Sequence, residues 1–280
     1  MKSVIQKINA FSSLELASKC FLLFLLLYAT RLNSIYLFPV VIAVLLIGFI
    51  NKSFFTKSYF WILVALLFLP NFIRIYFLKA NHFFVMFYVV LIFIIASRYY
   101  YSQSKVLQVN AKYLLALMMV LAVVQKFISE QFMSGETIGY LAYTGQLFRL
   151  PLLFIADAQE AISQNNTAIN KAGLMIGERV NLERPFPFFE EFVTLFTYLT
   201  LIAELIFAGL LFIKNKAIKN WFFITFVLLL IITREETGFI SLVSILLMMQ
   251  LGESQSIFRP IYFLLFLISI ALIITNWGFL

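Results

Sequence analysis

The sequence predicts an all-α integral membrane protein, folded as a polytopic helical bundle of about nine membrane segments. Of its 280 residues, 63% are hydrophobic and only 12% are charged, which lies outside the range of soluble domains. Runs such as 22–27 and 227–232 are apolar on every face, as lipid-embedded helices are. The strands of a membrane β-barrel would instead alternate apolar and polar residues, so this class is excluded.

Apolar runs predict the position of each segment within one transmembrane domain that covers residues 1–280. The segments are about 14–29, 36–50, 59–78, 83–97, 113–128, 192–213, 221–233, 238–251 and 260–280. A helix needs about 20 residues to cross about 30 Å of hydrocarbon. The seventh and eighth segments are each shorter than this, so we expect a hairpin whose charged tip, residues 234–236, lies at membrane depth.

Basic residues predict the orientation. The formal net charge of +8 arises from short loops, which is the pattern of the positive-inside rule and does not indicate nucleic-acid binding. With a cytoplasmic N terminus, the inner side carries eleven basic residues: Lys2, Lys7, Lys52, Lys57, Arg98, Lys105, Lys112, Lys214, Lys216, Lys219 and Arg259. The outer side carries four: Arg31, Arg74, Lys79 and Arg234. A composition rich in Ile, Lys, Asn and Phe suggests a low-GC bacterium, so the expected location is its cytoplasmic (inner) membrane.

The segment at about 129–191 is then extracytoplasmic, and most of the acidic residues lie in it. Residues 148–154 suit a re-entrant or interfacial helix, and the polar stretch 157–171 suits an exposed surface helix. Residues 184–191 predict a rigid turn before the sixth segment. The sequon that starts at Asn165 is expected to be accessible.

Ionisable residues within or at the ends of membrane segments are the candidate site, because their desolvation is costly. The predicted topology puts His82, Lys126, Arg234, Glu235 and Glu236 on one outer face. His82 and Lys126 are expected to share a cavity, with polar atoms within about 10 Å of each other.

Glu204 stands apart, because it lies in the middle of the sixth segment. A carboxylate at that depth must be protonated or paired, and Arg74 is the most plausible type of partner, although it should lie nearer the outer surface. A neutral acid bonded to a neighbouring helix and a proton-relay role are equally compatible with the pattern.

Lys126 and His82 also have purely structural interpretations. Lys126 could extend to the outer interface beside Glu130, one helical turn further on. His82 could be an interfacial residue, with Asn81 starting the fourth helix.

The motifs around these residues resemble a known family. They are Lys79-Ala-Asn-His82-Phe-Phe, Ala122-Val-Val-Gln-Lys126-Phe, Met133-Ser-Gly-Glu-Thr-Ile-Gly-Tyr-Leu141 and Leu201-Ile-Ala-Glu204-Leu-Ile-Phe-Ala-Gly209. In order and spacing they are similar to the transmembrane core of the vitamin K-dependent gamma-carboxylase-like family, known in bacteria as the horizontally transferred transmembrane (HTTM) domain. The resemblance covers roughly residues 80–250.

The resemblance implies an outer-side site at which Lys126 deprotonates a menaquinone or vitamin K-type hydroquinone, with His82 and Asn81 at the same centre. The activity would be carboxylase-like proton abstraction, or oxidation by a quinone-dependent oxidoreductase. An amine in apolar surroundings can lose its proton more easily, which is compatible with that role. Where relatives have another histidine, this sequence has Arg234-Glu-Glu236, so we expect altered chemistry there.

Partners follow from the same resemblance. The carboxylase carries a large soluble domain for its protein substrate, whereas this sequence ends at Leu280 in or near its last segment. We therefore expect the lipid bilayer as a partner, together with a peptide or protein substrate or a partner subunit.

The alternative is a non-enzymatic transporter or assembly component with a vestigial site, in which Glu204 would be the transport residue. The single His and single Cys cannot build a tetrahedral metal site, so none is expected.

Overall fold

The computed structural model describes residues 12–29, 37–74, 81–99, 103–152, 154–172, 180–233, 236–252, 255 and 257–275. In this part of the chain the secondary structure is helical, without strands. The chain divides into two compact units. The first comprises residues 1–118, 213–227 and 237–280, and the second comprises residues 119–212 and 228–236.

The first unit is built from apolar helices. They are α1 (Ser13–Ala29), α2 (Leu37–Ile50), α3 (Lys52–Phe55), α4 (Ser58–Arg74), α5 (Asn81–Arg98), the first part of α6 (Gln103–Ile128), the first part of α12 (Lys216–Thr233), α13 (Thr237–Gln250) and α14 (Phe258–Ile274). The α13 helix packs against α1 and α14, and its residues from Thr237 to Met249 are almost all buried. It is hydrophobic on every side, as expected of a helix that is enclosed by others.

Aromatic stacking fixes the other half of this unit. The rings of Trp61 on α4 and Phe93 on α5 are parallel, with centroids 4.2 Å apart. Phe21 of α1 stacks on both, at 5.9 Å from Trp61 and 5.7 Å from Phe93. All three side chains are buried, so large rings fill the space between three helices and dominate the packing there.

The second unit contains the end of α6, the end of α12 and the long helix α11 (Phe189–Leu210). Between α6 and α11 the chain forms α7 (Glu130–Met133), α8 (Glu136–Tyr143), α9 (Arg149–Leu152) and α10 (Ala156–Ala172). An apolar cluster joins α7 and α8 to the start of α11: Phe132, Ile138, Ala142, Leu147, Phe189 and Val193.

Each of the nine predicted segments overlaps a helix, while residues 75–78 of the third segment and 276–280 of the ninth lie outside the described residues. Among the described helices, three, α6, α11 and α12, are long and apolar enough to cross a membrane. The number of membrane crossings and the orientation stay predictions. One expectation was wrong: the seventh segment is not too short to cross, because α12 starts at Lys216 and has 18 residues. Asn215 accepts hydrogen bonds from the amides of Ala217 and Ile218 and thus caps the helix before its apolar run begins.

Candidate functional site

Lys126 and Glu204 form an ion pair inside the second unit. The Lys126 Nζ donates to Glu204 Oε1, so the end of α6 is joined to α11. Only 16% of the lysine side chain and 12% of the glutamate side chain are exposed. Lys126 and Glu204, which the sequence analysis assigned to different candidate sites, therefore form one largely buried ion pair.

The local sequence explains why Lys126 lies at the end of α6, just before the chain turns back. Lys126 lies in the last turn of α6, where a cation interacts favourably with the helix dipole. The helix ends because Ser129 bends the chain and caps α7, its Oγ accepting from the Phe132 amide at 3.3 Å. The chain thus folds back just beyond the amine.

This fold-back places an aromatic ring against the amine. Lys126 Nζ lies 5.6 Å from the centroid of the Phe132 ring, which is cation–π range. Phe132 itself is buried in the apolar cluster on α11. Gly135 makes the tight turn that follows, with φ of +83°, and a Cβ there would lie 2.9 Å from Val193 Cγ1. Only glycine therefore fits between α8 and α11 without a shift.

The ion pair lies far from the start of α11. Glu204 is fifteen residues after Phe189, the first residue of α11, which corresponds to about 22 Å along the helix. Lys126 therefore contacts α11 far along that helix, and its predicted position at the outer surface of the membrane stays a prediction. Residues 130–147 consequently pack along the first half of α11, as the apolar cluster shows.

One atom of the pair has no partner in the described part of the chain. Glu204 Oε2 is buried and accepts no hydrogen bond there. A buried acceptor without a donor costs about 1–3 kcal/mol, so such atoms in native proteins require an explanation. Oε2 is the atom of this site that is chemically suited to receive a donor from a ligand.

The structure describes the other predicted site residues only in part. Asn81 and His82 form the first turn of α5, as expected of a pair that opens a helix. Their side chains, and that of Arg74, lie outside the described residues, and so do Arg234 and Glu235. Since His82 belongs to the first unit and Lys126 to the second, their predicted convergence stays a prediction.

Glu236 is described and half-buried in the second unit, and it makes interactions of its own. Across the described residues, no group of three or more His, Cys, Asp or Glu side chains could hold a metal ion.

The partner of Glu204 is the feature that the sequence analysis missed. We expected Arg74 to be the most plausible type of partner for Glu204, and we weighed Glu130 as the neighbour of Lys126. A usable signal was present: Lys126 and Glu204 are isolated ionisable residues of opposite sign in neighbouring long apolar helices. The sequence does not give their relative depth, which decides the pairing.

Asn165 is buried, although most of the polar helix α10 to which it belongs is exposed. Asn165 is 1% exposed. Its Nδ2 donates to the carbonyls of Tyr143 and Glu183 at 3.1 and 2.8 Å, and its Oδ1 accepts from the Glu183 amide at 2.7 Å. The expectation that the sequon asparagine is accessible was wrong, because these bonds join Asn165 of α10 to the end of α8 and to the residues that precede α11.

An open cavity of about 560 Å³ lies beside α10. Its lining includes Asp157, Glu160, Glu183 and Arg184, and neither Lys126 nor Glu204 is among the lining residues. Nearby, burial and then the negative charge of Glu190 raise the pKa of the Tyr143 phenol. This cavity and the ion pair are separate features of the unit.

Comparison with known proteins finds no matching family model, no similar curated protein and no similar solved structure. The resemblance to the gamma-carboxylase-like family thus rests on the short motifs alone, and the function below is argued from the ion pair.

Proposed function

We propose that this membrane protein exchanges a proton with a lipophilic hydroxyl compound at the Lys126–Glu204 pair. The observation that carries the proposal is a largely buried ion pair in which one carboxylate oxygen, Glu204 Oε2, lacks a donor. The class of compound, a hydroquinone of the menaquinone or vitamin K type, comes from the family resemblance. The reaction would be carboxylase-like proton abstraction or quinone-dependent oxidation on the outer side of the membrane.

The ion pair changes the role that the resemblance gives to the lysine. A neighbouring carboxylate favours the charged form of an amine, so an ammonium beside a carboxylate is a poor base by itself. An ammonium likewise makes a neighbouring carboxylate a weaker base, so transfer of a proton to the carboxylate requires that the negative charge formed on the ligand is stabilised. A proton that an acidic hydroxyl gives up would move to Glu204 Oε2, and the ammonium of Lys126 would compensate the negative charge left on the ligand oxygen.

The residues present fit a hydroquinone. Glu204 Oε2 would accept from its hydroxyl, and Lys126 with the Phe132 ring would hold the carboxylate in place. Apolar side chains near the pair in sequence, Phe127 and Leu205, are more than half exposed and could contact a lipid-soluble ring. The hydroquinone would supply an oxidisable ring. In this proposal His82 and Asn81 belong to the centre only as the resemblance implies.

A second function is favoured by a different observation. The open cavity beside α10 is not lined by either residue of the pair. An ion pair that also contacts an aromatic ring can have the purely structural role of holding α6 against α11. The chain would then be a non-enzymatic transporter or assembly component, with a partner subunit or peptide at the outer segment. Loss of the pair would in that case affect stability without affecting hydroquinone binding.

The decisive experiment measures menaquinol binding to the purified protein by equilibrium dialysis under anaerobic conditions. Glu204→Gln keeps the size of the side chain but removes the anionic acceptor, so we expect binding about tenfold weaker. The matched control is Glu130→Gln, which removes an exposed carboxylate one turn beyond Lys126. Equal binding by the wild type and Glu204→Gln would refute the proposal in favour of the non-enzymatic function.

The same assay separates the two possible proton acceptors. Lys126→Arg keeps the positive charge but cannot act as a base, because guanidinium stays protonated. If Glu204 is the acceptor, Lys126→Arg should retain most of the quinol-dependent activity, while Glu204→Gln should lose it. If Lys126 is the base, as the resemblance implies, both variants should be inactive.

A further inference from the structure

Three lysines lie near enough in the first unit to influence one another electrostatically, on the side that the sequence predicts to be cytoplasmic. Lys216 and Lys219 lie in the first turns of α12, and Lys112 lies on α6. The positive charges of Lys112 and Lys216 both act on Lys219, whose side chain is only partly exposed. Like charges that are held together in this way repel each other, so the arrangement gains stability from a bound anion.

The start of α12 adds to the positive field. The N-terminal end of a helix carries a partial positive charge and usually has acidic residues in its first turn. In α12 this turn has none. The cap is the neutral side chain of Asn215. Lysines are thus concentrated where the helix itself already attracts anions.

A third helix brings a buried polar group to the same place. Lys219 Nζ donates to Gln250 Oε1 at the end of α13, at 3.3 Å. The other side-chain atom of Gln250, Nε2, is buried and donates to nothing in the described part of the chain. Gln108 of α6 also donates to the carbonyl of Leu251, at 3.4 Å, which holds α6 beside the end of α13. Ammonium and amide donors from three helices are therefore gathered in one region.

Neither Lys216 nor Lys219 forms an ion pair with an acidic side chain within the described residues of this unit. The acidic residue described there is Glu15, and it already pairs with Lys19 at 3.8 Å. Trp221, two residues after Lys219, is 57% exposed and is of the type that lies at membrane interfaces.

We propose that Lys112, Lys216, Lys219 and Gln250 form a binding site for a phosphate group. Lysine ammonium groups bind phosphate as point charges, and the free amide donor of Gln250 can complete the set. Two sources supply such a group: the headgroup of an anionic phospholipid in the inner leaflet, and a soluble phosphate. In either case the site is independent of the Lys126–Glu204 pair, which belongs to the other unit.

The test uses native mass spectrometry of the full chain after stepwise delipidation in the presence of phosphatidylglycerol. We expect the wild type to retain one phosphatidylglycerol. Lys219→Gln should bind it about tenfold more weakly, since one charged hydrogen bond is lost. Lys214→Gln is the matched control, because Lys214 is exposed and lies in the same basic stretch. Lys112→Gln serves as a second variant, and thermal unfolding checks that each variant is folded.

A second arm distinguishes the two sources of phosphate. Inorganic phosphate is added to lipid-free protein, and its effect on the melting temperature is compared between the wild type and Lys219→Gln. Stabilisation of the wild type alone supports a soluble phosphate ligand, whereas retention of phosphatidylglycerol without that response supports a lipid headgroup. The proposal is overturned if neither ligand distinguishes the wild type from Lys219→Gln, or if Lys214→Gln loses binding equally.

Discussion

The interiors of the two units use polar groups in different ways. In the first unit two contacts between buried polar side chains of different helices are neutral: Ser241 and Ser269 share a hydrogen bond of 2.7 Å, and Tyr262 donates to Asn220 Oδ1 at 2.9 Å. Its buried charged side chains, Glu15 and Arg259, lie at the starts of α1 and α14. In the second unit the corresponding contact is the charged pair Lys126–Glu204, with one oxygen without a donor. Neutral pairs join helices at little desolvation cost, whereas a charged pair is costly to bury and is more often associated with function.

The largest effect should come from breaking the charged pair. Glu204→Ala leaves the Lys126 ammonium in a largely buried position, so we expect unfolding free energy to fall by about 3 kcal/mol. Denaturation of the purified protein in detergent measures this loss.

The double variant Lys126→Met/Glu204→Leu should recover to within about 1 kcal/mol of the wild type, because an apolar pair avoids the desolvation cost. Additive losses in the double variant would show that the two side chains do not act as one unit.

The next largest effect should come from Asn165, a buried neutral side chain in the same unit as the charged Lys126–Glu204 pair. Asn165→Ala removes three hydrogen bonds to Tyr143 and Glu183 and leaves buried backbone groups unpaired, so a loss of about 2 kcal/mol is expected. Limited proteolysis of the segment between α8 and α11 reports it. Asn166→Ala, which removes a single 3.3 Å bond to Thr144, is the control and should cleave almost as slowly as the wild type.

A smaller effect tests the close contact between α8 and α11. Gly135→Ala forces a positive φ on alanine and brings its Cβ against Val193, so we expect a loss of about 1.5 kcal/mol. Gly209 of α11 has open space around it, and Gly209→Ala should instead stabilise the helix by about 0.5 kcal/mol. Melting temperatures of the two variants that shift in the same direction would contradict this packing.

The smallest effect should come from the neutral pair of the first unit. Ser241→Ala should cost about 0.6 kcal/mol, the typical strength of a hydrogen bond between membrane helices, because Ser269 keeps its bond to the Phe266 carbonyl at 2.7 Å. Ser244 is the control: its buried hydroxyl has no partner within the described residues, so Ser244→Ala should be neutral or stabilising. A loss at Ser241 as large as that at Glu204 would remove the contrast between the units.

Local sequence determined the helical class and the place of the longer helices, whereas the short helices α3, α7 and α8 were not predicted. A continuous apolar run predicts a membrane helix without any tertiary information, because a helix forms its backbone hydrogen bonds within one segment. The surface helix at 157–171 was also predictable and is present as α10. Helix starts were less predictable. The α6 and α12 helices begin at Gln103 and Lys216, several residues before their apolar runs, since polar residues with good helix propensity extend them.

Only the tertiary structure decided which polar groups meet. Lys126 and Glu204 are 78 residues apart, and their pairing depends on the rotation and relative depth of α6 and α11. The same holds for Asn165, whose partners lie 18 and 22 residues away and convert a residue expected at the surface into a buried one. Hydrophobic pattern fixes where a helix lies in the chain, but the depth and rotation of one helix against another depend on side-chain packing between distant segments.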